Sequence, residues 1–80
     1  MVTVEYGNDV VEINCDEQGL DLLIDKLQLL KKHGGHQHLM TPSWAGDELT
    51  EEKQGPENIL IHHLRIALAP KKHSGSGSIG

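Results

Sequence analysis

The chain has 80 residues, with twelve Asp or Glu against seven Lys or Arg, so its formal net charge is −5. Without Lys71 and Lys72, five cations face the same twelve acids, and residues 1–70 carry −7. This balance argues against nucleic acid and against an anionic membrane surface as direct partners, and it suits a basic protein partner. A lone Cys15 excludes an internal disulfide framework and a cysteine-rich zinc finger.

Length and hydropathy set the expected organisation. No apolar run approaches the roughly 20 residues of a membrane span, and the first six residues lack the pattern of a signal peptide. We therefore expect a cytoplasmic protein with one small domain over residues 1–70. Residues 71–80 are rich in Gly and Ser, which predicts a flexible tail, either a native end or an appended remnant. Phe is absent, so the core must be aliphatic.

The N-terminal segment predicts a β-hairpin. Val2, Val4 and Tyr6 alternate with polar residues, as in a strand with one buried face. Residues 7–9 (Gly-Asn-Asp) form a turn, because Gly and Asn tolerate positive φ. A second strand follows from Val10 to about Ile13.

The spacing of apolar residues predicts a helix over 16–33. Asn14 and Glu17 fit a capping box, with Asp16 as a competing N-cap. Acids fill the first half and bases the second, which stabilises both ends of the helix dipole. Glycines at 34 and 35 end the helix. The apolar stripe consists of Leu20, Leu23, Ile24, Leu27 and Leu30, widened by Leu22 and Leu29.

The second half predicts further strands. Residues 36–41 form a strand that Pro42 stops, 43–46 form a turn, and 47–50 form a short edge strand. A polar loop leads to a last strand over 59–69. On that strand the expected core face comprises Leu60, Leu64, Ile66 and Leu68, with His62 among them.

These elements predict an α+β domain in which a single helix packs on a small, mainly antiparallel sheet, in the order β-β-α-β-(β)-β. One helix covers one face of such a sheet. The other face must then be polar, or a partner must shield it.

The histidines raise the possibility of a metal site. His36 and His38 point to one face of their strand, whereas His62 and His63 point to opposite faces. If the two strands pair, three imidazoles converge, and imidazole suits zinc, copper or nickel. However, no cysteine or carboxylate lies at ligand spacing. We therefore favour histidines that are exposed or hydrogen-bonded.

Catalysis is disfavoured. Cys15 lies at a helix start, but the acids beside it make it a poor nucleophile. Ser43 has no nucleophile-elbow context, and Glu51 and Glu52 lie in a solvated loop. We expect no enzyme activity and no cofactor.

The segment from His36 to Gly55 concentrates polar and aromatic residues, with the only Trp at position 44. Trp is enriched at interface hot spots, which favours a contact surface. An equally good interpretation is that Trp44 fills one end of a core that lacks Phe.

Part of this segment resembles a known family. The runs His38–Gly46 (HLMTPSWAG), Glu48–Thr50 and Lys53–Gly55 resemble the signature of the immunity protein 32 family. Asn58 and the run Ile61–Ile66 resemble that family's closing strand. The likeness is specific from His36 to Gly55 and covers residues 1–70 in element order. It departs at Ala45, where the pattern leads us to expect a glycine-like residue.

The resemblance implies an immunity protein of a bacterial polymorphic-toxin system. Such a protein binds its cognate toxin, in some cases a nuclease, and blocks it without being an enzyme. The resemblance also implies a structural role, positioning the segment, for His38, Pro42, Trp44 and Gly46.

Acidic side chains are the expected contacts with the toxin, because opposite charge steers association. Some lie in the loop after Trp44 and others on the helix. They are Asp47, Glu48, Glu51, Glu52, Glu57, Asp21 and Asp25. A homodimer or a homo-oligomeric scaffold, which would shield an open sheet face by self-pairing, is an alternative.

The metal alternative predicts that zinc or nickel raises the melting temperature by mass action, because a ligand that binds only the folded state stabilises it. On the immunity-protein interpretation, we expect no shift across a wide range of metal concentrations. A thermal melt with increasing metal decides between them, and a concentration-dependent rise would favour the metal site.

Overall fold

The N-terminal hairpin forms as predicted. The computed structural model describes residues 1–70, and the predicted tail lies outside them. Strands β1 (Val2–Gly7) and β2 (Val10–Cys15) pair antiparallel, with Gly7 opposite Val10. The two connecting residues, Asn8 and Asp9, have φ of 51° and 63°. Positive φ at both central residues is what a type I′ hairpin turn requires.

The helix α1 (Glu17–His33) follows directly and confirms the predicted element. Asp16 is the N-cap, and its carboxylate accepts the backbone N–H of Gly19 at 2.8 Å. The competing cap, and not Asn14, is therefore the one the chain uses. At the other end Gly34, with φ of 74°, donates its N–H to the Leu30 carbonyl, as a glycine beyond a helix terminus can do without a steric penalty.

Three short strands and a 3₁₀ turn complete the chain. They are β3 (His36–Met40), the 3₁₀ helix (Pro42–Trp44), β4 (Ile59–Ile61) and β5 (His63–Ala67). The sheets are antiparallel, one of three strands in the order β2-β1-β4 and one of two strands, β3-β5. The α+β class is confirmed, but the single predicted sheet is two small sheets.

The predicted closing strand over 59–69 was wrong in continuity and in its core face. The chain breaks at His62, between β4 and β5. Ile61 and Leu64 both pack on the core, although they are three residues apart. A regular strand alternates its faces with a period of two, so the break changes which residues point inward. Leu60 therefore lies opposite Glu5, on the other face of the sheet.

The predicted edge strand over 47–50 was also wrong. Residues 47–49 form bends, and the backbone bonds go to two different strands. Leu49 donates its N–H to the Met40 carbonyl, and Thr50 donates its N–H to the Val2 carbonyl. A strand would need repeated backbone hydrogen bonds to one neighbouring strand, and this segment makes a single such bond to β3 and a single one to β1. The segment instead inserts Leu49, 2% exposed, into the core.

The core is small and aliphatic, as the composition predicts. Val2, Val4, Leu39 and Leu49 are buried together, with half-buried leucines of α1 packed against them. No helix within residues 1–70 is long and apolar enough to cross a membrane.

The second face of β1 is covered by the chain itself. Thr3 and Glu5 are fully buried, although they point away from the core. The Thr3 hydroxyl hydrogen-bonds the Thr50 hydroxyl at 2.8 Å, and the Glu5 carboxylate accepts bonds from Gln54, Gly55 and Asn58. The loop after Thr50 thus covers the side of β1 that faces away from the core. The sequence predicts that this sheet face is either polar or shielded by a partner.

Glu5 is held ionised by these donors. The Asn58 side chain and the backbone N–H groups of Gln54 and Gly55, with nearby Lys53, lower the pKa of the Glu5 carboxyl against the opposing effect of burial. Glu12 lies directly across the hairpin from Glu5, a like-charge pair that is unfavourable on one sheet face. The loop donors therefore stabilise a carboxylate whose strand neighbour repels it.

The backbone at Ala45 is strained. The 3₁₀ helix ends there with φ of 67° and ψ of 23°, a left-handed conformation that favours glycine. This is the position where the family pattern leads us to expect a glycine-like residue. Next to it, a Cβ added at Gly46 would lie 2.6 Å from the Met40 carbonyl oxygen. Glycine is therefore required for space at position 46 and favoured by conformation at position 45.

Replacing Glu5 with Gln tests the buried carboxylate. The amide cannot accept all three bonds, so Glu5→Gln should lower the melting temperature at pH 7 by several degrees. Because the folded pKa of Glu5 is lowered, its stabilisation is complete above the pKa of an unfolded glutamate and is lost as the pH falls through the lower folded pKa. The gap between variant and wild type should therefore narrow in acid.

The control for this test is Glu12→Gln, an exposed carboxylate on the neighbouring strand. It should leave the melting temperature unchanged or raise it slightly. Melts of the three proteins from pH 7 to pH 3 check the prediction, and a Glu5→Gln gap that does not depend on pH would contradict it.

Opposite effects are expected at positions 45 and 46. Ala45→Gly should stabilise the fold by about 1 kcal/mol, because it removes the left-handed strain. Gly46→Ala should destabilise it by about 1–3 kcal/mol through the clash with Met40. Ala67→Gly, in β5, should cost about 0.5–1 kcal/mol. Urea unfolding measures all three, and a destabilising Ala45→Gly would show that the conformation at position 45 is not strained.

Candidate partner-binding surfaces

Two of the predicted contact acids fasten the acidic loop, residues 47–57, to the rest of the molecule. Glu48 accepts the backbone N–H of Met40 at 3.0 Å, and Glu51 accepts that of Ser43 at 2.7 Å. The bond from Met40 lowers the pKa of the Glu48 carboxyl, and bonds from Ser43 lower that of Glu51. These two carboxylates therefore hold the loop in place as well as adding to its charge.

The other predicted acids extend into solvent. Asp47, Glu52 and Glu57 are exposed along the loop, and Asp21 and Asp25 are exposed one turn apart on α1. Lys26, the residue after Asp25 on α1, is close enough to Glu48 to favour the ionised form of that carboxyl. Glu48 and Glu51 therefore lie at the end of β3 and the 3₁₀ helix, whereas Asp21 and Asp25 lie on α1.

A second surface, which we call the Trp–His face, lies on the outer side of β3 and β5. It comprises His36, His38, His63, Arg65 and Trp44. Strand pairing places His38 opposite Arg65 and Met40 opposite His63, so these side chains share the face away from Leu39. The rings of His36 and His38 are 4.6 Å apart, those of His38 and His63 are 4.8 Å apart, and those of Trp44 and His63 are 5.6 Å apart.

The contact between His38 and His63 constrains their protonation. His38 Nδ1 lies 2.6 Å from His63 Nε2. One of these nitrogens must donate and the other accept, so the two rings cannot both be protonated while the bond persists. Burial lowers the pKa of His38, and the electrostatic effect of His36, His63 and Arg65 lowers it further. Both effects favour a neutral His38.

His62 lies apart from this face. Its Nδ1 shares a hydrogen bond of 2.7 Å with the buried Thr41 hydroxyl and lies 4.0 Å from the Glu51 carboxylate. The structure thus brings together His36, His38 and His63 and leaves His62 elsewhere. Within residues 1–70, no group of three His, Cys, Asp or Glu side chains is placed to hold a metal ion.

The family motif residues differ in their surroundings. Pro42 begins the 3₁₀ helix, and Gly46 packs against Met40. Trp44 is 54% exposed and contacts His63, so it does not fill the core. His38 lies on the Trp–His face. The motif therefore builds a turn that presents an indole at the surface.

Sequence reasoning missed a third surface. Leu20, Ile24 and Leu27, which the sequence assigns to the apolar stripe of α1, are 42–49% exposed. Val11 and Ile13 of β2 are also exposed. The available signal was the width of the stripe, since seven apolar positions exceed what one contact face needs.

Comparison with known proteins adds the family. A family model described as immunity protein 32 matches residues 10–64, which is more than half of the 80-residue chain. No curated protein matches, and no solved structure does. The matched region runs from β2 into β5 and contains the acidic loop and most of the Trp–His face. The chain belongs to the immunity protein 32 family.

Proposed function

We propose that this chain is an immunity protein that neutralises a cognate bacterial toxin in the cytoplasm by binding it stoichiometrically. The family match over residues 10–64 is the observation that carries the proposal. The chain acts by covering a surface of the toxin, not by a reaction of its own, and needs no cofactor.

The charge of the described residues supports a basic target. Residues 1–70 carry −7, and several of the acids that produce this charge are exposed. A toxin that acts on nucleic acid needs a positively charged groove to hold its substrate. An acidic inhibitor is drawn to such a groove and covers it, so a nuclease is the kind of toxin that the charge fits best.

The loop that carries many of these acids is held in position before binding. Glu5 fastens its later part to β1, and Glu48 and Glu51 fasten its earlier part to the end of β3 and the 3₁₀ helix. A segment that is already ordered loses less conformational entropy on association than a free one. The exposed acids can therefore meet the toxin without a prior folding step.

Reversing the exposed loop acids tests this proposal. We expect the triple variant Asp47→Lys, Glu52→Lys and Glu57→Lys to associate about tenfold more slowly with the toxin at low salt and to lose most of its salt dependence. Glu48 and Glu51 stay unchanged, because they hold the loop. The probe is the protein encoded beside this chain's gene, and stopped-flow mixing at several salt concentrations measures the rate.

A single reversal on the hairpin provides the control. Glu12→Lys changes the net charge as much as Glu52→Lys does, but on β2 and not in the loop. It should slow association less than Glu52→Lys. Unchanged association of the triple variant would contradict the role of the acidic loop, and equal effects of the two single variants would reduce that role to net charge alone.

A further inference from the structure

The helix uses only part of its apolar surface for folding. At 100° per residue, the buried Gly19 and Leu30 and the half-buried Leu23 lie within one sector of α1. The helix stripe, which we define as Leu20, Ile24 and Leu27, lies in the adjoining sector and is exposed by 49%, 42% and 48%. Two apolar sectors thus lie side by side, and the fold covers one of them.

The neighbouring sheet continues this apolar surface. Ile13 pairs with Val4, and Val11 pairs with Tyr6, so these side chains lie on the face of the three-stranded sheet that packs against the helix. Val4 is buried there, but Ile13, Val11 and Tyr6 are exposed by 43%, 61% and 39%. On the face of the three-stranded sheet where α1 packs, the helix therefore leaves the part nearest β2 uncovered.

Such a surface indicates a contact with another macromolecule. Isolated exposed leucines are ordinary, but an apolar patch of more than a few hundred Å² on a soluble domain usually marks an interface. Here apolar side chains from α1, β1 and β2 are exposed on the same side of one sheet. The apolar centre of an interface supplies most of the binding energy.

The charges around the helix stripe identify the kind of partner. At 100° per residue, Glu17 and Asp21 lie beyond Ile24 around the helix, and the exposed Lys31 lies between Leu20 and Ile24 near the C-terminal end of the helix. In a second copy of the chain, residues 1–70 would bring a charge of −7 against an equal charge, which opposes self-association. A partner whose contact surface has an apolar centre and a mainly basic rim matches the exposed apolar side chains, the two acids beside Ile24 and the net negative charge of residues 1–70.

We propose that the helix stripe, together with Val11 and Ile13, is the surface onto which the toxin docks, through an apolar patch that basic residues border. This inference rests on the proposed function and assigns the affinity of the complex to a surface distinct from the acidic loop. The loop accelerates encounter, and the helix stripe holds the complex together, because buried apolar contacts act mainly on the dissociation rate.

Two polar substitutions in the helix stripe test the inference. Ile24→Gln with Leu27→Gln, on otherwise intact protein, should raise the Kd for the protein encoded beside this chain's gene by at least about tenfold, mostly through faster dissociation. Both positions are exposed and Gln is a good helix former, so the folded state should keep its far-UV circular dichroism and melting temperature. Surface-based binding kinetics measure both rates.

Leu29→Gln is the matched control. Leu29 is 43% exposed on the same helix but lies about 140° around it from Ile24. Its substitution should change the Kd by less than about twofold. Equal Kd values for wild type, the double variant and the control would overturn the helix stripe as the docking surface while leaving the proposed function intact. No binding by the wild-type chain would overturn the proposed function and this inference together.

The molecular mass of the chain alone, measured by light scattering, checks whether a second copy of the chain covers the helix stripe. We expect a monomer at micromolar concentration for wild type and for the double variant. A wild-type dimer that Ile24→Gln with Leu27→Gln dissociates would overturn the inference, because a second copy and not the toxin would then cover the helix stripe.

Discussion

The buried carboxylate of Glu5 is the interaction on which the arrangement of the rest depends. It lies in the middle of β1, fully buried, and accepts bonds from the backbone of Gln54 and Gly55 and the side chain of Asn58. A buried charge is tolerated only when it is paired or well hydrogen-bonded. This requirement ties a loop some fifty residues away in sequence to the first strand. It covers the second face of β1 and holds the later part of the acidic loop against that strand.

With the second face of β1 covered by the chain itself, three surfaces of different chemistry remain exposed to a partner. The acidic loop provides charge, the Trp–His face presents an exposed indole beside coupled imidazoles, and the helix stripe provides apolar area. A domain with so small a core has little interior to enclose a ligand, whereas its exterior is varied. The proposed immunity function uses this exterior. Charge governs how fast a complex forms, and apolar contact governs how long it lasts.

Local signals made the hairpin and the helix predictable from the sequence. The turn residues Asn8 and Asp9 and the cap at Asp16 act through their own neighbours, so no tertiary knowledge was needed. The break at His62 was not predictable, because it arises from pairing with β1 on one side and β3 on the other. The same holds for Glu5, which looks like an ordinary solvent-facing strand residue until the distant loop covers it. The candidate surfaces also differ in whether the sequence alone could predict them. The acids were visible in the composition, but the exposure of Leu20, Ile24 and Leu27 depends on how the helix lies on the sheet.

The central claim is that this chain neutralises a toxin by forming a stoichiometric complex with it. Titrating the purified chain into a fixed amount of the protein encoded beside its gene, while following that protein's toxic activity, tests this most directly. The account predicts that activity falls linearly and reaches zero at one chain per toxin molecule, with a complex of matching mass. Activity that persists at saturating chain, or that disappears at far less than one equivalent, would contradict it.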